Sequence, residues 1–251
     1  MSIRGIFFDL YGTLLVYGDM QIAWADWLEV FYGCMKKQGL SIPIDSFSRH
    51  CDRFFGREKP PPAGEGLTVF ERRIRTLGVE LGVELTAGSI GAMANTVVSA
   101  WQKHISIDDE AVPVLRSLYR RKILCLISNF DHPPHVYKIL SQYGLESLFA
   151  KIVISAEIGC RKPDPVIFKK ALEGTGLHGS EAVYVGDTEE DVTGAIAASM
   201  KPVVIRRENN GTDRRYLDYS IEQSAGLTPG GNELKDSTIV ISKLSVLTSM
   251  F

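Results

Sequence analysis

The sequence predicts an α/β fold built on a parallel sheet and interrupted after its first strand by a block of helices. Three observations predict it. From about residue 108 onward, short apolar runs ending in a polar or charged residue alternate with helix-patterned stretches, as in successive βαβ units. A first such run stands apart at the N-terminus and stops at Asp9. Between the two, residues 16 to 106 carry helical spacing and almost no strand signal.

The first run belongs to IRGIFFDLYGTLL, residues 3 to 15. A short segment rich in Ile and Phe and closed by a Gly-containing turn reads as a strand buried on both faces, the kind found in the middle of a parallel sheet. Asp9 then sits at the carboxyl end, the edge where open α/β sheets bind ligands. On this segment alone it reads equally well as a turn-forming or capping Asp.

In the helical block, Ile22, Ala23, Trp27, Val30, Phe31 and Cys34 recur at helical spacing over residues 20 to 37, and Gly39 closes the segment. A second helix is expected from about 45 to 55, followed by the breaker KPPPAGEG. Helical pattern resumes at Val69, Phe70, Ile74 and Leu77, and again from about 87 to 104. The aromatic stripe Trp24, Trp27, Phe31 and Tyr32 reads more readily as core than as the wall of a pocket.

After Asp108 the expected order is helix 111–120, strand 122–129 ending in Ser128 and Asn129, helix 136–143 and strand 150–155. RKPDP then leads into helix 165–175, AVYVGD forms a strand ending at Asp187, and a helix runs through Met200 to the strand PVVIR. ENNGTDRR and LTPGGNELKD read as polar loops before a last strand, STIVIS, and a last helix, KLSVLTSM.

With 251 residues and 45% hydrophobic content the chain can bury a substantial core. A net charge of -2, from 28 basic and 30 acidic residues, points away from nucleic acid and anionic membranes as partners. The four cysteines are widely spaced and form no CxxC pair. They read as thiols of a reducing compartment, so a cytoplasmic location is expected. No apolar stretch approaches the ~20 residues of a membrane span, and the N-terminus does not resemble a signal peptide.

Parallel strands bring their carboxyl ends to one edge. Asp9, Ser128 with Asn129, Lys162, and Asp187 with Glu190 and Asp191 should therefore converge on one crevice. Clustered carboxylates resist joint ionisation unless a cation lies among them. Mg2+ suits the set, because it takes oxygen ligands and is held by one or two carboxylates plus phosphate oxygens. The hydroxyl, amide and ammonium suit a bound tetrahedral anion.

The order and spacing of FFDLYGT, LISN, RKPDP and VGDTEED resemble the four motifs of the haloacid dehalogenase superfamily. The resemblance implies a doubly wound Rossmann-like core (1–15 and 107–251) with a helical cap (16–106) inserted between the first and second motifs. It also implies a Mg2+-dependent hydrolase acting on a small phosphate ester, with Asp9 as nucleophile. Ser128 and Lys162 would contact phosphoryl oxygens, Lys162 also stabilising the attacking carboxylate. Asp9, the Tyr11 carbonyl and Asp187 would hold the metal, with Asp191 or Glu190 acting through water. Thr13 and the backbone amides from Leu10 to Gly12 would orient the transferred group. Asn129, Phe130, Asp131 and His132 lie just beyond the second motif and could reach substrate, although His132 reads equally well as solvated.

One departure matters. Tyr11 stands where most phosphatases of the superfamily carry a second Asp, which protonates the leaving alcohol and then activates water. A tyrosine with a pKa near ~10 is a poor general base at neutral pH. A weak phosphatase that favours good leaving groups is the expectation. One alternative is a 2-haloacid dehalogenase, whose first motif has the form DxYGT and which uses a cap arginine; Arg49, Arg53, Arg57, Arg72, Arg73 and Arg75 are its candidates. Another is a catalytically impaired binding protein. The sequence leaves substrate and oligomeric state open.

Overall fold

The computed structural model describes residues 2–62, 66–207 and 238–251. The loops ENNGTDRR and LTPGGNELKD lie outside the described residues, as does the centre of KPPPAGEG. The described residues fall into two compact units, one made of residues through Val16 and from Ile107 onward, the other of Tyr17–Ser106.

The first unit contains a six-stranded sheet in the order β5-β4-β1-β6-β7-β8. Its strands are β1 (Gly5–Phe8), β4 (Ile123–Ser128), β5 (Lys151–Ile154), β6 (Ala182–Gly186), β7 (Lys201–Ile205) and β8 (Ile239–Ile241). Every pairing is parallel. The register sets Phe8 beside Leu126 and Val185, so the residues following β1, β4 and β6 emerge together at the carboxyl edge. The order reverses at β1, which places a crevice there.

Burial explains why these strands were readable. All four residues of β1 and all five of β6 are buried, as expected when helices cover both faces. Alternate side chains serve opposite faces. Phe7, Cys125, Ile127, Val153 and Tyr184 share one core cluster with Ile167, Phe168, Ala171 and Leu172 of α8 (Pro165–Thr175) and Ala195 of α9 (Glu189–Ala197). Removing a large apolar side chain such as these from water contributes about 1.5–3 kcal/mol. Both helices start on sequence-encoded caps. Asp164 accepts the Val166 amide ahead of Pro165, and Thr188 with Asp191 closes a reciprocal capping box. The remaining helices of this unit are α5 (Ala111–Tyr119), α6 (Pro133–Gln142), the single turn α7 (Ser155–Ile158) and α10 (Val246–Met250).

The second unit consists mainly of α1 (Met20–Lys37), α2 (Ile44–Cys51), α3 (Val69–Glu80) and α4 (Ala87–Gln102). Asp19 caps α1, and Thr68 with Glu71 forms a capping box for α3. Trp27 and Phe31 are buried, and with Phe47, Phe54, Phe55 and Phe70 they make a network of ring contacts. The aromatic stripe is thus core at these two positions, while Trp24 and Tyr32 are half-buried. Several arginines of this unit hold loops. Arg57 donates to the His50 carbonyl, Arg72 to those of Pro60 and Leu67, and the buried Arg73 to those of Phe54 and Arg57.

Two strands were invisible in the sequence. β2 (Leu15–Tyr17) and β3 (Ile105–Ile107) pair as a separate two-stranded sheet, and three residues are too few to show a period of two. No described helix is long and apolar enough to cross a membrane.

Candidate active site

Asp9 follows β1 and is fixed through its amide to the Val185 carbonyl. Lys162 comes from the loop ahead of α8, and all three donors of its ammonium group are engaged. Nζ donates to Asp9 Oδ1 at 2.5 Å, to Asp191 Oδ1 at 2.7 Å and to the Tyr184 hydroxyl at 3.1 Å. Tyr184 in turn donates to the Ile127 carbonyl at 3.2 Å. The Lys162 backbone is braced as well: its amide donates to Asn129 Oδ1 at 2.8 Å and its carbonyl accepts from Asn129 Nδ2 at 3.1 Å. Asn129, expected among the substrate contacts, thus has its amide engaged with Lys162 and, at 3.3 Å, with Glu190.

One oxygen each from Asp9, Asp187 and Asp191 lies within 4.8 Å of the others. Lys162 bridges Asp9 and Asp191, and Asp187 adds a third carboxylate to the cluster. Burial pushes the Asp9 carboxyl up to about 7, with Lys162 opposing and Asp191 adding to the rise. Burial by itself would draw Lys162 down, but the Asp191 and Asp9 carboxylates overcome it and hold the ammonium well above its ordinary value. A cation among these oxygens would relieve the excess negative charge.

The oxygens are not equivalent. Asp191 Oδ2 accepts from the Asp187 and Thr188 amides and the Thr188 hydroxyl, while Oδ1 takes Lys162. Asp187 is half-buried and accepts a long bond, 3.5 Å, from Thr13 Oγ1. Gly12 lies against it at a φ of +91°, and any Cβ there would overlap the Asp187 carboxylate. Position 12 therefore requires glycine on two counts. The Gly12 amide, expected to face a bound anion, instead donates to the Leu15 carbonyl at 2.8 Å. Ser128 Oγ, at the end of β4, is buried with no hydrogen-bond partner among the described residues.

Tyr11 is buried and stacks on Phe130, with ring centroids 5.1 Å apart and 12° between planes, and Phe130 stacks on His135. Burial, with the nearby Asp9 charge, lifts the Tyr11 phenol well above its ordinary pKa, so it stays neutral. His132 is 1% exposed, which rules out the solvated reading. Two residues that sequence reasoning missed are Tyr184, concealed inside an apolar strand, and Arg207. The Arg207 guanidinium reaches the carbonyls of Gly12 and Thr13 and the Asp108 carboxylate, and backbone carbonyls leave no trace in a sequence.

The tying of Lys162 to two carboxylates has a measurable consequence. Lys162→Met should cost about 3–5 kcal/mol, because it leaves buried charges without a partner. Ser128→Ala should leave stability near wild type, since that hydroxyl has no hydrogen-bond partner among the described residues. Thermal melts of the two variants check this contrast; equal melting temperatures for Lys162→Met and wild type would contradict it.

A doubly wound parallel sheet with a lysine-anchored acidic cluster at its switch point defines an α/β enzyme core of the hydrolase type. The family model for haloacid dehalogenase-like hydrolases matches residues 3–199, and the chain belongs to that family. Over 139 residues it is 30% identical to a glyceraldehyde 3-phosphate phosphatase of Methanopyrus kandleri, covering 55% of this chain and 58% of that protein. The chain thus spans little more than half the length of this curated relative. Its fold is similar to that of a HAD phosphatase from Thermococcus onnurineus (TM-score 0.62, 19% identity, 99% and 97% of the two chains). It is also similar to a 2-haloacid dehalogenase from Pseudomonas syringae pv. Tomato (TM-score 0.56, 22% identity, 88% and 97%). The fold is therefore common to both reactions, and the choice between them rests on the site.

Proposed function

We propose that the protein is a Mg2+-dependent phosphatase of small phosphorylated metabolites that acts through an aspartyl-phosphate on Asp9. The observation that carries this reading is the Asp9, Asp187 and Asp191 cluster, an all-oxygen donor set with more negative charge than Lys162 offsets. Such a set fits a hard divalent cation. Asp9, Asp187 and the Tyr11 carbonyl would hold it directly, and Asp191, whose oxygens are already bonded, through water. Bound there, Mg2+ supplies neutralisation of the phosphoryl oxygens.

An Asp9 carboxylate oxygen attacks phosphorus, the bond to the leaving oxygen breaks, and water then hydrolyses the acyl phosphate to regenerate Asp9. Lys162 offsets the charge of the attacking carboxylate and of the phosphoryl group. Ser128 offers its unpartnered hydroxyl to a phosphoryl oxygen. Thr13 steadies Asp187, and Asn129 and Tyr184 hold Lys162. Residues 1–15 and 107–251 form the catalytic core in this reading, and 16–106 a cap that selects the substrate. A cytoplasmic location accords with small phosphorylated metabolites as substrates.

One observation favours the dehalogenase alternative: a neutral, stacked Tyr11 is no general base for activating water, and halide leaves without a proton. Against it, Arg57, Arg72 and Arg73 are engaged with backbone carbonyls, and displacing halide needs the Asp9 carboxylate but no cation held among three carboxylates. Purified protein assayed with and without Mg2+ against p-nitrophenyl phosphate and 2-chloropropionate separates the readings. Metal-dependent phosphate release without halide release is expected. Metal-independent halide release would reverse the ranking, and no turnover of either substrate would favour a binding protein.

A further inference from the structure

We infer that Arg207 is a positioning residue for the turn that carries the reacting carboxylate. It lies just beyond β7, after Arg206, and four hydrogen bonds fix its guanidinium. Nη1 donates to the Gly12 carbonyl at 2.7 Å and Nη2 to the Thr13 carbonyl at 2.7 Å. Nε and Nη2 donate to Asp108 Oδ2 at 3.0 and 2.7 Å. Arg207 and Asp108 side chains are each only 14% exposed, so this is no loose surface pair.

Asp108 is itself anchored. Its amide donates to the Leu14 carbonyl at 2.9 Å, and its Oδ1 accepts the Glu110 amide at 2.8 Å. The clamp therefore joins the end of β7, the turn after β1 and the segment leading into α5. Within the turn, the Gly12 amide reaches Leu15 and the Leu14 and Leu15 amides reach Leu10. The Gly12 and Thr13 carbonyls face away from these bonds, and Arg207 takes both.

The peptide unit is planar and trans, so holding a carbonyl fixes the following N–H on the opposite side. Through Gly12 and Thr13, Arg207 sets two successive peptide planes just beyond Asp9, beside Asp187. Only a guanidinium can do this while paired with Asp108, because its donors lie in a rigid planar fork; an ammonium is a single point donor. Small errors in the placement of reacting groups are costly, about 10²-fold for a shift near 1 Å.

The catalytic part of the test rests on the phosphatase reading, whereas the exchange part does not. Arg207→Ala and Arg207→Lys are compared with wild type by hydrogen exchange at residues 10–15 and by Mg2+-dependent hydrolysis of p-nitrophenyl phosphate. Exchange of the Gly12, Leu14 and Leu15 amides should accelerate in both variants while the β4 and β6 amides keep their protection. The kcat should fall about 10- to 10²-fold with KM nearly constant, with little recovery in Arg207→Lys. Millimolar guanidinium chloride should partly restore Arg207→Ala, and ethylammonium chloride should not. Unchanged exchange at residues 10–15 overturns the assignment, as does a kcat that falls only with the folded fraction and shows no guanidinium rescue. A wild type that releases no phosphate overturns the phosphatase reading instead, and the exchange data then decide the placement alone.

Discussion

Asp9→Asn should abolish hydrolysis and leave the protein folded. The amide has nearly the shape of the carboxylate and keeps an oxygen to accept from Lys162 Nζ, which lies 2.5 Å from the native Oδ1. It has no anionic oxygen with which to attack phosphorus, so the loss should be roughly 10⁴-fold or more, as when a nucleophile is removed from a catalytic unit. Stability should not fall with it. The Asp9 pKa rises from 3.8 to about 7 in the folded protein, with burial the chief cause. A carboxyl whose folded value exceeds its unfolded one contributes stability that is complete below the unfolded value and is lost as pH rises through the folded one. In metal-free wild type this contribution therefore fades between about pH 4 and pH 7, and Asp9→Asn should show a flatter dependence of melting temperature over the same window. Residual turnover at a tenth of wild type would place the chemistry on another group, and a collapsed melting temperature would leave the loss attributable to unfolding.

The strands of the sheet were legible for a physical reason. Burial on both faces forces near-continuous apolar runs, and β1, β4 and β6 end abruptly where the chain reaches polar residues. The convergence of Asp9, Lys162, Asp187 and Asp191 was legible too, because parallel strands have only one carboxyl edge at which to gather. What the residues do there was harder to read. Asn129 looks like a ligand for substrate, yet its amide is engaged with the Lys162 backbone. Gly12 looks like an amide donor, yet its amide turns to Leu15 and the residue is required for lack of a side chain beside Asp187. Tyr184 and Arg207 act through partners that are main-chain carbonyls or lie far off in sequence, and no spacing rule encodes them. The strands β2 and β3 and the single turn α7 are too short to carry a period.

Tyr11→Asp should raise phosphatase activity on poor leaving groups by about 10² to 10⁴, the usual worth of general acid-base assistance. In wild type the phenol is buried, stacked on Phe130, and its pKa lies well above the ordinary value through burial and the Asp9 charge. It stays protonated and cannot take a proton from water, and as a weaker acid than a carboxyl it gives less help to a departing alkoxide, so wild-type rates should depend steeply on leaving-group acidity. A carboxyl two residues from Asp9 can do both. The gain should therefore be large on an alkyl phosphate and small on p-nitrophenyl phosphate, whose phenolate departs without help. The substitution carries a structural cost, because it replaces a buried ring by a smaller acid and removes a stacking contact worth about 0.5–1.5 kcal/mol. The variant should melt below wild type and be compared well beneath its transition. The comparison is a pair of leaving-group series with Mg2+ present, read as the slope of log kcat/KM against leaving-group pKa. A shallower slope in Tyr11→Asp identifies the missing acid as the limit on this site. An unchanged slope in a folded, Mg2+-binding variant would mean that proton supply to the leaving group is not what Tyr11 took away.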